Sequence, residues 1–160
     1  MFQVRKIFTR PWPVTVTQHV SDLEGSVTEA TSTFIAHFKS FSESTLEALQ
    51  KDAEARHPAT GTDGAPRIGE SMRRNAHVFC GVLDGWGPEV VDEAGQPVPY
   101  SEDALRALIG GPDGVLVSAA LFTALGQIRF GAAPAKNAKT SPPPGPTPGA
   151  GEAQATATSA

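Results

Sequence analysis

The sequence has one cysteine, Cys80, so no disulfide can form within it. The fold must therefore rest on burial and hydrogen bonding, and a reducing compartment is the expected setting. It has no stretch approaching the roughly 20 apolar residues of a membrane-crossing helix. It has no expected secretory leader, because Arg5, Lys6 and Arg10 run into Pro11, Trp12 and Pro13 rather than an apolar run. It has little excess charge: −4 over 160 residues gives no bulk attraction to nucleic acid or to an anionic membrane. His19, His37 and His57 show no metal-ligand spacing, and no Gly-Lys-Ser/Thr follows Gly110–Gly114, so neither a zinc site nor a phosphate loop is expected. These absences leave a single globular domain in the cytoplasm, without metal or cofactor.

What is present divides the chain in two. Residues 134–160 hold six prolines and no Val, Ile, Leu, Met or aromatic residue. Such a segment buries too little apolar surface to offset its ordering entropy, so a disordered tail is expected there, polyproline-like in part. Residues 1–133 carry the folded domain. Within it Val14 and Val16 alternate with Thr15 and Thr17, predicting a half-buried strand over Trp12–Val20. Asp22–Gly25 reads as a turn. Phe34, Ala36 and Phe38 fall on one face of a second strand, Thr31–Phe41. A helix is predicted over Glu43–Arg56, capped by Ser44 and Glu47, with Leu46, Leu49 and Ala53 on its apolar stripe. Ile68, Met72, Ala76, Phe79 and Leu83 mark the buried face of a longer helix, Gly69–Leu83.

That helix runs into LDGWGPEVVDEAGQPVPYSEDALRALI, Leu83–Ile109. Gly85, Gly87 and Pro88 stop the helix around Trp86. Val90 and Val91 should face Val98 across a turn with Gly95 at the bend. Ser101 caps the next helix, with Glu102 and Asp103 where the positive helix end favours them. Gly110–Gly114 ends it, and a last helix spans Val115–Phe130. The expected class is α+β: a small antiparallel N-terminal β-hairpin packed on about four helices, a short mid-chain hairpin and a disordered C-terminal tail.

Chemistry-bearing residues are few. Asp84, Glu89, Asp92 and Glu93 lie along a turn, where aspartate bonds local backbone more often than it opposes a second carboxylate across a pocket. His77 and Cys80 stand three apart on a helix and could share a metal or form a thiolate–base pair. Too few further ligands accompany them for zinc, and Cys80 beside an apolar stripe reads as a small core residue. Arg73 and Arg74 read as a solvated face. No catalytic residue is singled out.

Taken together, the Val/Thr-rich strand, TFIAHFKSFSES, the GW…V.D..G.PVPYSE..L stretch and a closing AKN at Ala135–Asn137 resemble the tail assembly chaperones of long-tailed bacteriophages. The matching positions are Gly85, Trp86, Val91, Asp92, Gly95, Pro97, Val98, Pro99, Tyr100, Ser101, Glu102 and Leu105, and the likeness spans about Val4 to Asn137. The resemblance implies a non-enzymatic protein of the host bacterial cytoplasm. It would coat the tape measure protein, recruit major tail tube subunits and be absent from the finished particle. It implies as partners the tape measure protein and the tube protein; association with a second copy of the chain is left open. The competing expectation is a permanent minor tail component, a completion or connector protein. The last helix carries more apolar residues than one core face needs, so Val115, Val117, Phe122, Ile128 and Phe130 are the candidate partner-binding residues.

Overall fold

The computed structural model describes residues 9–131. The expected tail and the Ala135–Asn137 motif lie outside them. The element order is β1 (Arg10–Ser21), β2 (Val27–Phe38), α1 (Glu43–Arg56), α2 (Ile68–Val82), β3 (Leu83–Trp86), α3 (Glu102–Gly110) and α4 (Gly114–Phe130). The class is α+β, with a three-stranded antiparallel sheet in the order β1-β2-β3.

The β1–β2 hairpin pairs Arg10 with Phe38 and Ser21 with Val27. Asp22 closes its turn, its carboxylate accepting from the backbone N–H groups of Glu24 and Ser26, while Gly25 takes a left-handed φ of 82°. The alternation places Val14, Val16, Phe34, Ala36 and Phe38 in the core. β2 begins four residues earlier than Thr31 and ends at Phe38 rather than Phe41. Its first part is exposed and held by ladder hydrogen bonds, so no burial pattern announces it.

The sheet's third strand is absent from the sequence expectations. Leu83 keeps the four-residue step from Phe79 and so reads as helix, yet it is the first residue of β3. β3 pairs Leu83 with Phe38, Gly85 with His37 and Trp86 with Ala36, and Asp84 bulges out between the first two rungs. Trp12, Ala36 and Trp86 therefore form one cross-strand row. A methyl group, fully buried at Ala36, sits between two indoles.

Two further expectations are corrected. The cap of α1 is Ser42, whose hydroxyl accepts from the Thr45 N–H at 3.1 Å; Ser44 lies inside the first turn. Ile68, assigned to the buried face of α2, is 75% exposed at that helix's first residue. Past it, Ala76 and Phe79 are buried, and Met72 packs partly against the core. The Gly110–Gly114 break allows α4 to turn back and pack on β1, α2 and α3. No single helix among the described residues is long and apolar enough to cross a membrane.

Among the described residues the core contains one polar misfit. Ser118 of α4 is 3% exposed, and its hydroxyl has no hydrogen-bond partner among the described residues. A desolvated, unsatisfied hydroxyl is a net cost, so Ser118→Ala should raise the unfolding free energy by about 1 kcal/mol. The urea midpoint reads this directly; a fall in the midpoint would mean that the hydroxyl is satisfied.

Candidate functional site

The Leu83–Leu105 stretch folds into one interlocked corner. Trp86 is 9% exposed, and its indole N–H donates to the Val98 carbonyl at 2.7 Å. Its ring meets Tyr100 edge-on at 4.9 Å, and the Tyr100 hydroxyl donates to the Leu83 carbonyl at 3.1 Å. The segment after Trp86 is thereby tied back across both ends of β3. Val91 and Pro97 form an isolated bridge rather than a developed hairpin. Asp92 organises the turn, its carboxylate accepting from the N–H groups of Ala94 and Gln96, and Gly95 adopts a φ of 73°. Val90 and Val98 are half-buried, joined by a Val98 N–H to Val90 carbonyl bond, whereas Val91 is exposed. Ser101 caps α3 through the Ala104 N–H at 3.0 Å, and Leu105 is fully buried.

Trp86, Tyr100, Asp92, Ser101 and Leu105 point into the core or bond local backbone, and their arrangement secures β3 to α3. Burial, followed by the negative charges of Cys80, Glu102 and Asp84, pushes the Tyr100 hydroxyl from 10.0 up to about 12. The folded state thus holds this proton more tightly than the unfolded chain does. Its contribution to stability is complete below pH 10 and is lost as the pH rises through about 12. Tyr100→Phe should flatten the stability profile over that interval, as followed by urea melts at each pH. An unchanged slope would show that Tyr100 does not carry it.

The cysteine and histidine of α2 do not converge. Cys80 is 8% exposed, and its thiol is pushed up, mainly by burial, away from the thiolate form a nucleophile needs. His77 instead bonds Asp52 of α1, Nε2 to Oδ2 at 2.8 Å. No group of three or more His, Cys, Asp or Glu side chains suited to a metal occurs among the described residues.

Sequence reasoning missed a different constellation. A cleft of about 700 Å³ opens between α1, α2 and α3, with Arg56, His57, Met72, Arg73, His77 and Arg106 on its walls. His57 bonds Glu70 at 2.9 Å and meets the His77 ring edge-on at 6.3 Å. Arg56 pairs with Asp52, Arg73 with Glu70, and Arg106 with Glu102 and Asp103. The hydrogen bond from Arg56 is the main cause lowering the Asp52 carboxyl, and that from His57 the main cause lowering Glu70. Each wall cation thus has a carboxylate partner, and among the described residues no hydroxyl or thiol lines the cleft. Only folding brings residues from 52 to 106 together here, so no local spacing foretold it.

The remaining candidate is the outer side of α4. Val115, Ala119, Phe122 and Phe130 recur at helical spacing on the side away from the core, and Leu116 lies beside them. Val115 is 60% exposed, Phe122 37% and Phe130 81%. Phe122 also touches the buried Phe79, ring to ring at 4.6 Å, so it joins the stripe to the core. Two of the five named partner-binding residues are placed otherwise: Val117 is buried in the core, and Ile128 is half-buried against it. The stripe keeps Val115, Phe122 and Phe130 and gains Leu116 and Ala119. At its C-terminal end Arg129 forms a two-point ion pair with Glu43 of α1, and Trp12 donates to Gln127 at 2.9 Å. The C-terminal end of the helix is thus fixed, while its outer face stays open among the described residues.

No family model, curated protein or solved structure matches the chain.

Proposed function

We propose that this chain is a non-catalytic tail assembly chaperone of a long-tailed bacteriophage. It acts in the host bacterial cytoplasm, covers the tape measure protein during assembly, recruits tail tube subunits, and leaves before the particle is complete. The observation that carries this reading is the outer stripe of α4. Val115, Leu116, Ala119, Phe122 and Phe130 give an exposed apolar strip on a helix that is apolar on all sides. A long helical protein that aggregates through its own apolar stripe is a fitting occupant, because side chains at i, i+4 and i+7 interleave with a second helix. Reversible cover of that kind lowers the concentration of sticky species. The sequence resemblance over Gly85–Leu105 supports the same reading. In the folded corner Trp86, Tyr100 and Ser101 are engaged in local hydrogen bonds and packing.

Val115→Glu with Phe130→Glu tests the surface. Both residues are exposed, so the fold should hold, while solubilisation of a co-expressed tape measure protein should be lost. Unchanged solubility would remove α4 from the contact. Mass spectrometry of purified particles tests the transient role: a chaperone is missing from them, and its presence there would make the chain a permanent tail component.

A further inference from the structure

We infer that the edge of β2 left unfilled by the described residues is a docking slot for the segment Met1–Phe8 of a second copy of this chain. The inference does not rest on the phage reading. β3 occupies only part of the β2 edge, pairing with Ala36, His37 and Phe38, and the Gly87 N–H extends that line to the Ile35 carbonyl. From Val27 to Thr33, β2 has β1 on one side and no strand on the other among the described residues. All residues from His19 to Thr33 are exposed, including Val20, Leu23 and Val27. A two-stranded ribbon without cover is marginal in water. Edges meant to stay free are usually blunted by proline or lysine. Pro11 and Pro13 do this near the base of β1, whereas Val27–Thr33 has no proline or lysine and a single charge, Glu29.

Charge and length identify the occupant. Between Pro11 and Phe38 there is no lysine or arginine, and the ribbon carries Asp22, Glu24 and Glu29. Two such ribbons pairing edge to edge would set like charges together, which opposes that arrangement. The segment MFQVRKIF has the opposite character: Arg5 and Lys6, no acid, and Phe2, Val4, Ile7 and Phe8, which suit a strand. The open edge spans seven residues, about 23 Å at roughly 3.3 Å each, and the segment has eight.

The point of attachment favours a second copy over the same molecule. Thr9 bonds Asp84, Oγ1 to Oδ2 at 2.7 Å, beside the rung where Leu83 meets Phe38. Thr33 lies five rungs further along β2, about 16 Å away. The segment would use most of its length running past β3 and could set only about three residues into the slot. A second copy can bring all eight.

The test is a charge exchange read by sedimentation velocity on full-length chains. The wild-type chain should associate as its concentration rises. R5E/K6E and E24K/E29K should each weaken association about tenfold or more, and mixing the two variants should restore a complex in which each supplies what the other lacks. Val4→Pro, which removes an N–H from the added strand, should also weaken association. A wild-type chain that is monomeric at every concentration would overturn the inference. So would charge variants that associate like wild type, or a mixture that stays monomeric.

Discussion

Trp86→Ala should cost about 3–5 kcal/mol of unfolding free energy, the usual consequence of truncating a large buried aromatic side chain. The indole fills the space beside Ala36, meets Tyr100 edge-on and holds the Val98 carbonyl. Its loss opens a cavity and also releases the segment that returns from Gly87 to Ser101. Single domains are stable by only about 5–15 kcal/mol, so the variant should sit near the edge of folding at 37 °C. Trp86→Phe should fall between the two: it keeps part of the packing but leaves the Val98 carbonyl without its donor, at about 1–3 kcal/mol. Urea melts of the three chains give the ranking. If Trp86→Ala loses less than about 1 kcal/mol, the corner is not the joint between β3 and α3 described above.

Gly114→Ala should be the most disruptive of the glycine substitutions. A Cβ at Gly114 would lie 1.8 Å from the Ile109 carbonyl oxygen and 2.6 Å from its carbon. Both are backbone atoms at the end of α3, so α4 cannot start where it does without moving away from α3. Overpacking a tight core site costs about 1–3 kcal/mol, and a clash with backbone belongs at or above the top of that range. The control lies four residues away. A Cβ at Gly110 meets nothing within 4 Å, and Gly110 has no positive φ. Gly110→Ala should therefore be neutral or stabilise by up to about 1 kcal/mol. Equal effects at the two positions would contradict the close approach of α4 to Ile109.

The contrast between these glycines shows what the sequence could convey. Gly110–Gly114 is legible as a helix break because glycine and proline act locally. That Gly114, and not Gly110, carries the packing constraint depends on where α4 goes after the turn. The same division runs through the fold. Val14 and Val16, the turn at Asp22, the bounds of α1 and the Ser101 cap are local signals, and each is found where the pattern put it. β3 was not legible, because Leu83 continues the helical step from Phe79 and the strand's pairing partner lies nearly fifty residues earlier. The start of β2 at Val27 was missed because neither face of the outer ribbon is buried. The cap of α1 falls on Ser42 rather than Ser44 because Ser42 takes the extended backbone from which its hydroxyl reaches the Thr45 N–H. On α4, a helix apolar all round gives no period from which to choose its outer side; packing against β1 and α3 placed Val117 inside and left Val115 outside. The cleft between α1 and α3 was invisible for the same reason: its histidines find their carboxylates only in the folded chain.

The central claim is that this chain shields a long helical partner with the outer side of α4. Co-expression with the tape measure protein from the same genome, followed by affinity capture through this chain, tests it most directly. The account predicts that the partner is soluble only when this chain is present, and that the two purify together. A partner that remains soluble by itself and does not associate with this chain would contradict the claim.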